Sequence, residues 1–143
     1  MKSLKGDIVF DTSVLIEVMG GTDFGVKLVE LIYREKIVPH ITELNLIETL
    51  YVICRKQGFE NSLNLINTLV NSGYFNIHSI SEIRNIIGEC KCKYPISIAD
   101  CTTLSLAKHL NCPAIFSKFE KEFRNIIEEL SKWVGKEIIF LRQ

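Results

Sequence analysis

The sequence predicts an α/β fold in three layers, a mainly parallel sheet of about four to five strands flanked by helices, within a single domain over residues 1–143. Three observations predict it. Short apolar runs of strand character alternate with stretches whose apolar residues recur at helical spacing. Those strands are apolar nearly throughout, the pattern of parallel sheets covered on both faces. Of the 143 residues 47% are hydrophobic, enough for one substantial core, and no repeat, low-complexity tract or linker divides them.

Residues 7–10 read as a buried strand that ends on Asp11. Helical spacing follows over 13–19 and 23–35, the second stripe being Val26, Leu28, Val29, Leu31 and Ile32, with Gly20 and Gly21 between the two helices. "KIVPHI" has the composition of a second strand, and Thr42 is placed to cap a helix from Glu43 to Lys56 that stops at Gly58. Another helix fits 60–71 and ends at Ser72 and Gly73. "YFNIHSI" alternates like a strand, and 81–92 return to helical spacing through Ile83, Ile86, Ile87 and Cys90. Pro95 breaks the chain before a helix from Ile98 to Leu110. "CPAIFS" is a fourth strand, "EKEFRNIIEELSKWV" a last helix and "EIIFL" a closing strand.

Lysine plus arginine equal aspartate plus glutamate at 17 each, which excludes the global positive field of a non-specific nucleic-acid binder. Contact with a nucleic acid then rests on a local patch, Arg55 with Lys56 or Lys118 with Lys121 and Arg124; each taken alone reads first as a solvated helix face. The apolar runs are too short to cross a bilayer, and "MKSLKGD" leads into no signal-peptide core, so a soluble cytoplasmic protein is expected. Cys54, Cys90, Cys92, Cys101 and Cys112 are odd in number and scattered, three of them in stretches that look buried, and read as small core hydrophobes in a reducing compartment. Cys90 and Cys92 could form half of a metal site, but no second Cys or His pair stands at zinc-like spacing. His40, His78 and His109 fall at a strand, a strand end and a helix and read as structural; no Ser-His-acid set is evident.

Acids occur where the pattern calls for other residues. In "TELNLIETLYVICRK" Leu44, Ile47, Tyr51, Val52 and Cys54 share a broad arc, and Glu48 lies inside it, pointing toward the core side. A buried carboxylate needs a proton or a partner. Asp100 stacks on Leu104 and Ala107 in the same way, although Ser97 and Asp100 also fit a capping box. Asp11 has the alternative reading of a helix N-cap. The three can converge on the cleft where open α/β sheets place ligands. Carboxylates gathered there repel one another unless a cation neutralises them, and an oxygen-only set favours a hard ion, Mg²⁺ or Mn²⁺.

The order "FDTSVLI", "ELNLIETLYVICRK", "ISIADCTTLSLA" and then a strand followed by "KFEKEF" resembles the PIN-domain ribonucleases, specifically the VapC-type toxins of toxin-antitoxin pairs, over nearly the whole chain. The resemblance implies a PIN-like fold and a Mg²⁺- or Mn²⁺-dependent endoribonuclease acting on single-stranded or structured RNA and leaving a 5′-phosphate. It makes Asp11, Glu48 and Asp100 the first three catalytic, metal-binding acids and Glu120 the fourth. There the usual Thr-x-Asp-x-x-Phe is replaced, with Lys118 in the threonine slot, Glu120 in the aspartate slot and Phe123 in the phenylalanine slot; Glu122 is a less favoured substitute. Thr12, Ser13 and Ser97 would support the acids by hydrogen bonding. Lys118, Lys121 and Arg124 would hold the RNA backbone. A homodimer and a small cognate antitoxin are further implications. A haloacid-dehalogenase reading fails because Asp11-Thr12-Ser13-Val14-Leu15 lacks the second aspartate of D-x-D-x-T. The rival from another class is a catalytically inactive PIN-like module that binds RNA or a protein without cutting.

Overall fold

The computed structural model describes residues 3–142, which form one sheet of five parallel strands between two layers of helices. In chain order these are β1 (Gly6–Phe10), α1 (Thr12–Gly20), α2 (Asp23–Tyr33), β2 (Ile37–Thr42), α3 (Glu43–Gln57), α4 (Phe59–Asn71), β3 (Asn76–His78), α5 (Arg84–Lys93), α6 (Ile98–Leu110), β4 (Ala114–Lys118), α7 (Ile127–Val134) and β5 (Ile138–Arg142). The strand order β3-β2-β1-β4-β5 makes the sheet doubly wound. It grows outward from β1 on one side and then from β4 on the other, so the winding reverses between those two strands.

Alternate residues of the central strands feed two cores. Val9, Ala114 and Phe116 meet Cys101, Leu104 and Ala107 on one face; Ile8, Phe10 and Ile115 meet Val14, Leu28 and Ile66 on the other. A sheet buried on both faces explains why its strands read as unbroken apolar runs. Cys90, Cys101 and Cys112 are buried and all five cysteines are free thiols, but Cys92 is exposed, which corrects its reading as a core residue.

Several expected faces are corrected. On α3 the buried positions are Asn45, Leu46, Thr49 and Ile53, whereas Ile47 is 57% exposed and Tyr51 45%. The inward face carries polar residues with internal hydrogen bonds, so apolar periodicity points the wrong way. On α2 Leu28 and Ile32 are buried, but Val26 and Val29 stay on the surface. The helix expected over 81–92 starts as a 3-10 turn, Ile80–Glu82, before α5. The expected last helix is likewise split into a 3-10 turn, Lys121–Phe123, and α7. Phe123 is fully buried, 5.2 Å from the Phe116 ring and 5.7 Å from that of Phe140, and this anchoring pulls the segment out of line with α7.

Three helix starts are built as the sequence suggests, Asp11, Thr42 and Ser97 each accepting a backbone N–H of the first turn, and Thr22 caps α2 in the same way without having been singled out. Gly25 lets α2 approach α1 closely, since a Cβ there would stand 2.0 Å from the carbonyl oxygen of Glu17.

Candidate metal centre

β1 delivers Asp11 at its carboxyl end, beside β4, where the winding of the sheet reverses and open α/β folds form their ligand crevice. Asp11 is 6% exposed. Its Oδ2 accepts from the Ser13 N–H at 3.1 Å and the Ser13 hydroxyl at 2.8 Å, and its Oδ1 accepts from the Thr103 hydroxyl at 2.9 Å. Asp11 thus caps α1 from a place in the crevice. Burial raises the Asp11 pKa above the ordinary aspartate value; the Ser13 and Thr103 bonds oppose the rise, and the charge of Glu48 adds to it.

Thr103 lies one turn beyond Asp100 on α6, and Asn45 one turn before Glu48 on α3. The Asn45 Nδ2 group donates to Thr12 at 2.9 Å and to Thr103 at 3.3 Å, while its Oδ1 accepts from Thr42 at 2.6 Å. This buried polar knot ties α1, α3 and α6 together beneath the acids. Asn45 and Thr103 were not singled out from the sequence. The usable signal was helical spacing: each sits three residues from an acid that is itself out of place.

Glu48 and Asp100 are both half-buried. Desolvation pushes Asp100 up to about 7, helped by the negative charges of Asp11, Glu122 and Glu48 and opposed by its bond with Ser97. Ser97 also accepts the Asp100 N–H at 3.0 Å, so it caps α6 and steadies the acid at once. Three acids predicted from sequence thus act on one another electrostatically. Of the three charges that act on Asp100, Glu122 follows Asp11 and precedes Glu48; it is the less favoured of the two glutamates in sequence, whereas Glu120 is half-buried just before the 3-10 turn. Lys118, Lys121 and Arg124 are exposed around the same turn.

A second network buttresses Asp11 from behind. Ser13 Oγ accepts the Ser117 N–H at 3.0 Å, and the Ser117 hydroxyl donates to Glu17 at 2.5 Å. Buried Glu17 also pairs with Arg142 and accepts from Thr22 at 2.5 Å, and the Arg142 guanidinium lies 4.6 Å from the centre of the Phe24 ring. Sequence reading missed this group, since residues 17, 117 and 142 meet only through the order of the strands.

The carboxylates of Asp11, Glu48 and Asp100 offer only oxygen ligands, and their negative charges oppose simultaneous ionisation, the condition a hard divalent cation relieves. Among the described residues no trio of His, Cys, Asp or Glu is already closed to the spacing of one ion.

Comparison with known proteins identifies the fold and the family. The PIN domain family profile matches residues 8–129. No curated protein sequence matches the chain. Among solved structures, VapBC2 from Rickettsia felis bound to a promoter DNA fragment superposes with a TM-score of 0.66 at 15% identity, covering 96% of this chain and 98% of that one. The sarcin-ricin loop cleaving toxin VapC20 of Mycobacterium tuberculosis gives 0.64 at 16%, covering 82% and 92%. A toxin-antitoxin complex from Klebsiella pneumoniae gives 0.60 at 19%, covering 83% and 92%. At these identities the solved structures speak to the fold. The family match covers most of the chain, from β1 into α7, and the chain belongs to the PIN domain family.

Proposed function

We propose that this protein is a divalent-metal-dependent endoribonuclease, the toxin of a toxin-antitoxin pair. The observation that carries the reading is the mutual electrostatic effect of Asp11, Glu48 and Asp100 at the switch point of a PIN fold. When bound, Mg²⁺ or Mn²⁺ supplies Lewis acidity to the attacking water and to the phosphoryl oxygens. Asp11, Glu48 and Asp100 hold the ion, with a fourth carboxylate from the segment after β4. The family pattern assigns that place to Glu120, and the charge felt at Asp100 favours Glu122. Ser13 and Thr103 fix the two oxygens of Asp11, Thr12 steadies Asn45, and Ser97 fixes Asp100. The exposed Lys118, Lys121 and Arg124 bind backbone phosphates beside the acids.

A small antitoxin protein is the partner this reading requires, with a homodimer as the working assembly. In favour of a protein partner, an apolar groove of about 310 Å³ opens between α1, α2 and α4, lined by Val18, Met19, Val29, Tyr33, Leu65 and Tyr74. No described helix is long and apolar enough to cross a membrane, and a cytoplasmic site of action is part of the proposal.

The test is cleavage of a pool of structured RNAs with Mg²⁺ or Mn²⁺ by the unaltered protein and by Asp11→Asn, Glu120→Gln and Glu122→Gln. Cleavage should vanish in Asp11→Asn and with chelator, and fall at least about 100-fold in whichever glutamine variant removes the fourth carboxylate. Chelator-resistant RNA binding with no cleavage under any ion would favour the non-catalytic module.

A further inference from the structure

All three histidines of the chain meet in one cluster, although they lie on β2, β3 and α6. His40 Nε2 is 2.9 Å from Asp7 Oδ1, His40 Nδ1 is 2.9 Å from His78 Nε2, and His78 Nδ1 is 3.3 Å from Glu82 Oε1. His109 Nε2 approaches the same Glu82 oxygen at 3.5 Å. The side chains of His40 and His78 are only 13% and 17% exposed.

Counting protons along this line gives a result independent of tautomer. Carboxylates stand at both ends and only accept, so each of the three hydrogen bonds needs a proton on a ring nitrogen. Two neutral imidazoles bring two protons. The complete line therefore holds one more, a single positive charge shared by His40 and His78 between two carboxylates. A fourth ring proton would put two donors face to face across the 2.9 Å gap between the rings.

We infer that the histidines form a proton-operated clasp: one shared proton closes the line Asp7, His40, His78, Glu82 and holds the edge strand β3 and its following turn onto β1 and β2. The line joins strands that are neighbours in the sheet. It also lies at the far ends of elements that present the candidate metal ligands. Asp7 is four residues before Asp11 on β1, about 13 Å at the rise of a strand. His109 is nine residues beyond Asp100 on α6, about 13 Å at the rise of a helix. The charged groups around the pair are Asp7 on β1, Glu82 on the 3-10 turn and His109 on α6; Asp7 also acts on Cys112, whose thiol is pushed up to about 11 by burial and then by the Asp7 charge, with Lys136 opposing. Because the closed line holds one proton more than two neutral rings carry, its stability depends on the supply of protons.

The test compares urea unfolding of the full chain with that of His40→Gln/His78→Gln from pH 5 to 8 in chelator. Taking the ratio of the two folding constants cancels titrations common to both proteins, including those of the cleft acids. The unfolded pair carries two extra protons at low pH and none at high pH, whereas the clasp holds one. The ratio should therefore peak near pH 6.5 and fall on either side by up to about tenfold per pH unit. A ratio that only rises with pH would mean two neutral rings, one that only falls would mean two charged rings, and a flat ratio no linkage; each overturns the clasp. The unaltered protein gives a second readout by ring ¹⁵N and ¹H NMR at pH 6.5. Three ring protons over the two rings, one of them far downfield in the contact between them, are expected. Two neutral tautomers there would overturn it.

Discussion

Replacing Thr103 by valine removes one buried hydroxyl at nearly constant volume. That hydroxyl donates to Asp11 Oδ1 and accepts from Asn45 Nδ2, at 2.9 and 3.3 Å. A hydrogen bond to an ionised acceptor contributes about 1.5–3 kcal/mol and a neutral one about 1. Asn45 keeps its bond to Thr12, so most of the loss comes through Asp11. The sign with pH follows from the two influences on that acid. Burial raises its pKa, so ionising Asp11 costs stability as pH rises; the Thr103 bond lowers the pKa and reduces that cost. Removing Thr103 therefore matters most where Asp11 is ionised. We expect urea unfolding in chelator to show a loss that grows with rising pH and reaches about 2 kcal/mol once Asp11 is ionised. A loss that stays flat or falls as pH rises through the ionisation of Asp11 would refute the role given to Thr103.

Arg142→Met leaves the buried Glu17 carboxylate without its cation, but Arg142 is partly exposed, so a loss of about 1–3 kcal/mol is expected rather than the full penalty of a buried pair. Adding Glu17→Gln should restore at least half of it in the same denaturation assay. Gly25→Ala forces a methyl group to within 2.0 Å of the Glu17 carbonyl, and α1 and α2 must separate; thermal unfolding should show a destabilisation of about 1–3 kcal/mol.

The fold was legible because its strands are short, apolar and separated by helical periods, the signature that a doubly wound parallel sheet leaves in sequence. Asp11 and Asp100 were legible because each breaks into an apolar run, at the end of β1 and on the inward face of α6. Glu48 was picked from an α3 arc whose Ile47 and Tyr51 are exposed, so the reasoning that singled it out does not hold even though it is half-buried. The faces of α3 and α2 were not legible. The α3 core face is built on Asn45 and Thr49, which satisfy their polar groups internally, and the α2 surface leaves Val26 and Val29 uncovered. Periodicity scores composition, whereas these faces depend on hydrogen bonding and on what covers them. The Glu17, Ser117 and Arg142 group, like the histidine cluster, depends on strand order, which no local spacing encodes.

Calorimetric titration with Mn²⁺ tests whether Asp11, Glu48 and Asp100 together bind a divalent cation, as the proposed function requires. Asp100, pushed up to about 7, holds a proton in a large fraction of molecules at neutral pH, and an ion that binds its carboxylate must displace it. At pH 6.5 the unaltered protein should bind Mn²⁺ with a heat that depends on the ionisation enthalpy of the buffer, reporting proton release, and both signals should disappear in Asp11→Asn. Undiminished binding by Asp11→Asn, or no binding to the unaltered protein at millimolar Mn²⁺, would contradict the account.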